Sequence, residues 1–247
     1  MVLEWILAAT ILVSLASLAG VLVLPFKKKS MDLLLFAVIA FAAGTLLGAA
    51  FLDLLPEASE RIEVSLVFFY ALAGILAFFA VEKLIHWHHH HRGKHHAVEK
   101  PLAYLNLIGD SVHNFFDGVA ISASFLAGTD VGIATTVAVV LHEIPQEIGD
   151  FGLLIYSGFS HRKALFFNLL SALFCVLGAV LFYYFSSAVA GLSSAVLAFT
   201  GGMFTYIATS TLLPEFQKET ELRKSFLQFT LILLGVFTVW LIATYVE

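Results

Sequence analysis

Residues 109–118, with the sequence GDSVHNFFDG, concentrate side chains that can bind a metal ion. Polar residues recur there at spacings of three, four and seven, which places four of them on one stripe of a helix: Asp110, His113, Asn114 and Asp117. Nitrogen and oxygen ligands of this kind suit Zn²⁺, Fe²⁺, Mn²⁺ or Cd²⁺. We therefore expect one side of a divalent-metal site on this segment.

A second segment, residues 142–150 with the sequence HEIPQEIGD, offers the same chemistry. Two pairs stand one helical turn apart and an acid follows them: His142 with Gln146, Glu143 with Glu147, and then Asp150. An ion-pair network without metal is the alternative, but residues 101–156 contain no Lys or Arg. A bound divalent cation explains this set of ligands better.

The elements that carry these segments are expected to cross a membrane. The 247-residue chain is 60% hydrophobic and only 13% charged, and its mean hydropathy is +0.94. A span needs about 20 apolar residues, and the sequence offers eight such stretches: 3–24, 33–55, 64–85, 102–126, 131–156, 164–188, 194–213 and 225–246. We predict an all-α membrane protein that forms one transmembrane domain over residues 1–247. We expect it to contact the lipid bilayer and to bind no nucleic acid.

Both histidines are expected near the middle of the bilayer. His113 lies about a dozen residues from the cytoplasmic end of the fourth span, and His142 lies about a dozen residues from the outer end of the fifth. At a rise of about 1.5 Å per residue, both positions reach the midplane. An ionisable group at that depth costs about 2.5–3.5 kcal/mol on insertion scales. Two neutral imidazoles and two carboxylates would balance the charge of a divalent cation, so the two spans are predicted to hold the ion between them.

Basic residues predict the orientation of the chain. Twelve of the thirteen Lys and Arg residues fall in alternate loops, and only Arg61 lies on the other side. Because basic loops stay in the cytoplasm, both termini are expected outside a cytoplasmic membrane. The first span has no cleavage site followed by a soluble domain, so we expect it to be retained.

An internal repeat relates the second and seventh spans. FAAGTLLGAAFLDLLPEA, residues 41–58, and FTGGMFTYIATSTLLPEF, residues 199–216, agree at seven of eighteen positions. Spans five apart cross the membrane in opposite directions, so the repeat predicts inverted topology, with helices 1–3 related to 6–8 around a central pair of helices 4 and 5. Chance similarity between two apolar helices is the alternative.

Histidines crowd residues 86–96, HWHHHHRGKHH, between the third and fourth spans. The predicted orientation places this loop, taken as residues 86–100, in the cytoplasm. Neutral imidazoles there could hold Zn²⁺ weakly, and a solvated loop without a metal role is the alternative. The candidate ligands are His86, His88, His89, His90, His91, His95 and His96.

Four acids are candidates for the path of the ion: Asp53, Asp110, Glu147 and Asp150. Asp53 belongs to the second span and is expected near the outer mouth. It could pass ions toward the site.

HNFFDG in the fourth span and HEIPQE in the fifth resemble the paired signature motifs of the ZIP (Zrt/Irt-like protein) family of metal transporters. The likeness extends to the repeat and the histidine-rich loop, and EIGDF at residues 147–151 looks like the histidine-rich branch of that family. The resemblance implies eight helices with both termini outside. It also implies passage of a divalent metal, zinc foremost, into the cytoplasm without ATP hydrolysis.

The resemblance also implies two adjacent ions. The first would be bound by His113, Asp117, His142 and Gln146, and the second by Asn114, Asp117, Glu143 and Gln146. Gln146 stands where the family usually has histidine or a carboxylate, so we expect softer affinity or altered selectivity from its neutral amide.

Functions of two other classes remain as alternatives. An intramembrane metalloprotease would use an HExxH pattern, but Gln146 replaces its second histidine and Pro145 interrupts the turn. A metal-sensing receptor would share the site, and only a flux measurement separates it from a transporter. We expect a transporter rather than an enzyme.

The GxxxG motif of Gly44 and Gly48 serves either internal packing or a homodimer.

Overall fold

Helices account for almost all of the computed structural model, which describes residues 2–22, 28–90, 100–188, 191–212 and 220–245. Within these ranges the eight predicted spans are found as eight helices. They are α1 (Val2–Ala16), α2 (Lys28–Ala49, continued by Ala50–Leu54 and Leu55–Arg61), α3 (Val64–His90), α4 (Lys100–Ala127), α5 (Thr129–Tyr156), α6 (His161–Phe185), α7 (Leu192–Tyr206, continued by Ile207–Leu212) and α8 (Leu222–Tyr245).

Among the described residues, five helices are long and apolar enough to cross a membrane by length and composition. These spans are Phe36–Arg61, Val64–Lys83, His161–Phe185, Leu192–Ser210 and Leu222–Thr244. The shorter α1 is apolar over Val2–Ala16, whereas α4 and α5 carry the ionisable side chains that lower their hydropathy. The all-α membrane fold predicted from composition is confirmed.

Two boundaries differ from the predicted ones. The first span is not one helix, because α1 ends at Ala16 and a separate turn of helix follows at Ala19–Leu22. The histidine-rich segment does not begin as a loop, because the backbone of residues 86–90 completes α3. The side chains of those residues, and His91, His95 and His96 altogether, lie outside the described residues.

The two repeat helices share a local distortion that the sequence comparison did not predict. Ala50–Leu54 in α2 and Ile207–Leu212 in α7 are both π-helical, and the repeat alignment superimposes these segments. A π segment inserts an extra residue into the helical ladder and often occurs at functional sites. Its recurrence at matching positions supports a structural repeat rather than chance similarity.

Close helix packing follows the same inverted symmetry. α2 packs on α8, and α7 packs on α3. Gly44 in α2 and Gly202 in α7 are equivalent in the repeat, and a Cβ atom on either would clash with a backbone carbonyl oxygen, that of Ile232 and that of Ala71 respectively. Small residues permit such close approach between membrane helices. Gly44 is therefore used for packing within the chain.

The helices fall into two sets. One set contains α1, α4, α5 and α6, which pack on one another, and the other contains the α2–α8 and α3–α7 pairs. Contacts of α2 with α5 and of α7 with α4 join the two sets, again in matching fashion. The central α4–α5 pair thus lies against both repeat helices.

Candidate metal centre

Four side chains of α4 and α5 meet with their ligand atoms facing one another. We call His113, Asp117, His142 and Glu143 the four-ligand group. The two histidine Nε2 atoms are 3.2 Å apart. Asp117 Oδ2 lies 3.5 Å from His113 Nε2 and 3.2 Å from His142 Nε2. Glu143 Oε1 lies 3.3 Å from His113 Nε2 and 3.5 Å from His142 Nε2.

These separations match the edges of a coordination tetrahedron. Zn²⁺ binds histidine nitrogen and carboxylate oxygen at about 2.0–2.1 Å, which in regular tetrahedral geometry separates the ligand atoms by about 3.3–3.4 Å. The five measured separations scatter closely around that value, from 3.2 to 3.5 Å. The sixth edge, between Asp117 and Glu143, is within 4.8 Å, so the arrangement is compatible with a Zn²⁺ ion bound by these four side chains.

Local hydrogen bonding orients His142. Its Nδ1 atom lies 3.0 Å from the carbonyl oxygen of Ala138, one turn earlier in α5. A carbonyl oxygen can only accept a hydrogen bond, so Nδ1 is the donor, and in the neutral imidazole Nε2 is free to present a lone pair to a metal ion. Metal-binding histidines are commonly fixed in this way by a hydrogen bond at the other ring nitrogen.

Three of the four side chains are buried away from solvent, and the His113 side chain is 13% exposed. Asp117 is 0% exposed, and His142 and Glu143 are each 1% exposed. Neither carboxylate oxygen of Asp117 has a hydrogen-bond partner within the described part of the chain, and the same holds for Glu143 Oε1. Buried carboxylates without donors or a cation are costly, so these atoms are matched to a positively charged ligand.

Gln146 and Asn114 belong to a neighbouring arrangement instead. Gln146 Nε2 donates to Asp110 Oδ1 at 3.1 Å, and Asn114 Nδ2 donates to the same oxygen at 3.1 Å. Both amides therefore turn a donor toward a carboxylate. The ligand sets implied by the family resemblance differ from this grouping, in which Glu143 rather than Gln146 stands beside the two histidines.

Asp110 and Asp150, which the sequence analysis named as candidates for the path of the ion, line a cavity next to the site. The cavity has a volume of about 260 Å³ and lies among the first half of α4, the second half of α5 and the ends of α3 and α7. Its wall includes Asp110, His113, Gln146 and Asp150. Asp150 Oδ1 accepts a hydrogen bond from Asn106 Nδ2 at 2.7 Å. The cavity therefore connects the four-ligand group with polar residues nearer the start of α4.

Asp53 lies apart from this cavity, in the π segment of α2. It is only 5% exposed, and its Oδ2 has no hydrogen-bond partner among the described residues. It belongs to neither cluster of potential ligands at the α4–α5 pair. Its part in an ion path stays a prediction.

Sequence reasoning missed Asn168 and Asn106. Asn168 lies in the apolar helix α6, is 0% exposed and donates from Nδ2 to a carboxylate oxygen of Glu147. The signal was present, because an amide inside a membrane helix needs a polar partner. Asn106 lies on the α4 stripe one turn before Asp110 and could have been added to it.

Comparison with known proteins gives the chain a family. The profile of the ZIP Zinc transporter family matches residues 2–101 and 88–243. Zinc transporter zipt-7.2 of Caenorhabditis elegans is 35% identical over 98% of this chain and 66% of its own length. Zinc transporter ZIP13 of Pongo abelii is 33% identical, over 98% of this chain and 80% of its own. Zinc transporter YKE4 of Saccharomyces cerevisiae is 30% identical, over 93% and 77% respectively. The chain spans just under two thirds of the length of the nematode relative. Nearly the whole of this chain is matched by each of the three relatives. It therefore belongs to the ZIP zinc transporter family.

Proposed function

We propose that the chain transports a divalent metal ion, zinc foremost, through the site between α4 and α5. The observation that carries this proposal is the four-ligand group, which is buried among membrane helices and has tetrahedral spacing. The names of the relatives support zinc as the substrate. Fe²⁺, Mn²⁺ and Cd²⁺ share the ligand preferences and are further candidate substrates.

Alternating access is the mechanism that fits the packing. In this proposal α1, α4, α5 and α6 carry the ion and move against the set formed by α2, α3, α7 and α8. The repeat supplies two related arrangements of that second set, which is how inverted repeats generate two access states. The cavity of about 260 Å³ beside His113 then represents the open side of the present state.

The charge pattern supports a proposal for the direction and location of transport. The cavity lies toward the end at which α4 begins, which the basic residues predict to face the cytoplasm. We propose inward transport across a cytoplasmic membrane, with both termini outside and the histidine-rich segment in residues 86–100 on the receiving side. A homodimer remains a further proposal.

Zinc uptake into proteoliposomes tests the function. Purified wild-type protein is expected to give saturable ⁶⁵Zn²⁺ uptake above empty vesicles. His142→Ala removes one corner of the tetrahedron and should abolish most of that uptake. Transport by wild type that persists unchanged in His142→Ala would contradict the proposed site.

A matched control separates loss of the ligand from loss of the fold. His161 lies at the start of α6, outside the four-ligand group. His161→Ala should therefore retain uptake. If wild type binds Zn²⁺ but moves no divalent ion, the transporter proposal fails and a metal-sensing role replaces it.

A further inference from the structure

A second cavity lies among α3, α4 and α7, in the half of the membrane domain where α3 and α7 begin. It has a volume of about 270 Å³, and we call it the apolar cavity. Its described walls contain no Asp, Glu, Lys, Arg or His, so it offers a divalent cation no charged ligand and does not belong to the ion path. Most of the wall is formed by the side chains of Tyr70, Phe116, Val119, Val196, Phe199 and Met203.

Phenylalanine rings stand between the apolar cavity and the cavity beside His113. The ring centroid of Phe116, in the wall of the apolar cavity, lies 5.9 Å from that of Phe78 and 6.1 Å from that of Phe199. Phe78 lines the other cavity, and its ring centroid lies 5.6 Å from that of His113. The two cavities share no lining residue among those described. The apolar cavity therefore ends at aromatic rings and not at the metal site.

The apolar cavity adjoins the surface of α3 that faces lipid. Most of its wall residues are half-buried, so the cavity is open at the surface of the protein. Tyr70 in its wall directly follows Phe69, which is 63% exposed, and Leu72 nearby is 54% exposed. The segment Val64–Lys83 is long and apolar enough to cross a membrane. Large apolar side chains exposed on such a helix contact acyl chains, so the cavity is continuous with a lipid interface.

The depth of the apolar cavity matches that of the acyl chains in one leaflet. Along α7 its wall runs from Ala195 to Met203, and the helix begins at Leu192. At about 1.5 Å per residue, these positions lie roughly 5 and 17 Å from the start of α7. The hydrocarbon core of a bilayer is about 30 Å thick, so one leaflet contributes about 15 Å. The cavity lies within the leaflet at the end where α3 and α7 begin.

We propose that the apolar cavity binds one acyl chain of a membrane phospholipid, whose headgroup stays at the surface near the beginnings of α3 and α7. Water is a poor occupant, because an apolar cavity of about 150 Å³ stays dry and binds benzene instead. A lipid chain supplies the dispersion contacts that an empty space would lose. The bound chain fills a gap between the two sets of helices, since α4 belongs to one set and α3 and α7 to the other.

Photolabelling in lipid nanodiscs tests the proposal. The nanodiscs contain dioleoyl phosphatidylcholine with a small fraction of a phosphatidylcholine that carries a diazirine on one acyl chain, and mass spectrometry identifies the labelled residues after irradiation. A chain held in a cavity stays beside its walls longer than a chain that exchanges freely over the surface. In the wild type, labelling of Phe116 and Phe199 should therefore exceed that of Phe237 severalfold.

Phe237 is the internal control because it is matched to Phe199 in type and in depth. It lies eight residues before the end of α8, whereas Phe199 lies seven residues after the beginning of α7, and consecutive spans cross the membrane in opposite directions. Phe237 is 50% exposed and does not line the apolar cavity. Its labelling therefore measures contact with freely exchanging lipid at the same depth.

Two variants fill the apolar cavity from opposite walls. Ala195→Phe adds a ring on the α7 side, and Val119→Phe adds one on the α4 side. Each should reduce labelling of the two wall rings to the level of Phe237, whose own labelling should not change. Leu177→Phe adds the same ring at a position of α6 that is 45% exposed, and it should leave labelling of the wall as in wild type. Filling a cavity should maintain or raise the melting temperature, so a thermal-shift assay identifies the folded variants.

The proposal is overturned if the wall rings of wild type are labelled no more than Phe237. It is also overturned if the folded cavity-filling variants keep the wild-type labelling. Neither measurement involves a metal ion, so failure of zinc uptake in vesicles would remove the transport function without altering this result. The two hypotheses can therefore fail separately.

Discussion

Glu143 belongs to both clusters of potential metal ligands, the four-ligand group and the cluster of Asp110, Glu143 and Glu147, which makes it the most informative single residue of the site. Its Oε1 atom lies within 3.5 Å of both histidine Nε2 atoms, and its carboxylate also faces Asp110 and Glu147. In the proposed site, Glu143 and Asp117 would supply the two negative charges that neutralise a divalent cation bound by two neutral imidazoles. Removal of the Glu143 charge should therefore affect the affinity for the first ion directly.

We expect Glu143→Gln to weaken Zn²⁺ binding at least tenfold, because an amide oxygen carries no charge and is a poorer ligand. Gln146→Ala should change the same affinity by less than about threefold, because Gln146 donates to Asp110 rather than facing the histidines. Calorimetry on the purified variants measures both values. A larger loss in Gln146→Ala than in Glu143→Gln would favour the ligand set implied by the family motif.

At this scale the sequence predicted which helices carry the site but not which side chains meet. Helical spacing placed His113 and Asp117 on one stripe and His142 on another, and the structure brings all three together. The choice between Glu143 and Gln146 depends on side-chain rotamers and on the rotation of α5 about its axis. Spacing along one helix does not contain that information, and it also could not pair Glu147 with an amide from α6.

Close approach of α4 and α6 determines the geometry at the scale of helices. A Cβ atom on Gly118 of α4 would clash with the carbonyl oxygen of Cys175 in α6, and one on Gly178 of α6 would clash with that of Phe115 in α4. The two glycines thus allow backbone contact immediately beside Asp117. Gly149 of α5 is different, because a Cβ atom there would meet no described residue within 4 Å.

Alanine substitution should distinguish these glycines by thermal stability. Gly118→Ala forces the two backbones apart, and overpacking of this kind costs roughly 1–3 kcal/mol. For a chain of this size that corresponds to a fall in melting temperature of about 2–12 °C. Gly149→Ala should leave the melting temperature unchanged or raise it slightly, since alanine has the higher helix propensity. Equal effects of the two substitutions in a thermal-shift assay would contradict the packing described.

Sequence patterns predicted the helices more accurately than the irregularities within them. Apolar length predicted all eight segments, because a membrane helix must satisfy its backbone hydrogen bonds internally. The break after Ala16 has no proline to announce it. The π segments at Ala50–Leu54 and Ile207–Leu212 did have a signal, because Pro56 and Pro214 follow them at matching positions of the repeat. A proline has no N–H for the carbonyl four residues earlier, which in both cases belongs to the π segment, and it distorts the helix at that point.

At the scale of the whole molecule, one side chain ties the two sets of helices together at the end opposite the cavity beside His113. Arg61 ends the α2 assembly, and its guanidinium donates to the carbonyl oxygen of Ala127, the last residue of α4, at 2.9 Å. Its Nε atom also donates to Glu57 Oε1 at 2.8 Å. The carbonyls of the last helical turn have no partner within the helix, so this contact satisfies one of them across the boundary between the sets. If the sets move during transport, this bond must break when that end opens.

Loss of the Arg61 contact should favour opening at that end. A hydrogen bond contributes about 0.5–1.5 kcal/mol, so Arg61→Ala should shift the equilibrium about two- to tenfold. Asp53 lies in α2 toward the same end and is 5% exposed, so a cysteine placed there reports the opening. In the Asp53→Cys protein, the added Arg61→Ala substitution should speed labelling by a membrane-impermeant maleimide by that factor.

Two controls accompany this measurement. Cys175, with 0% exposure, should stay unlabelled and so shows that the fold is intact. Glu57→Gln alters the pair within α2 but keeps the bond from Arg61 to Ala127, so it should label like the parent. Labelling that is no faster with Arg61→Ala than without it would show that the contact does not restrain the motion.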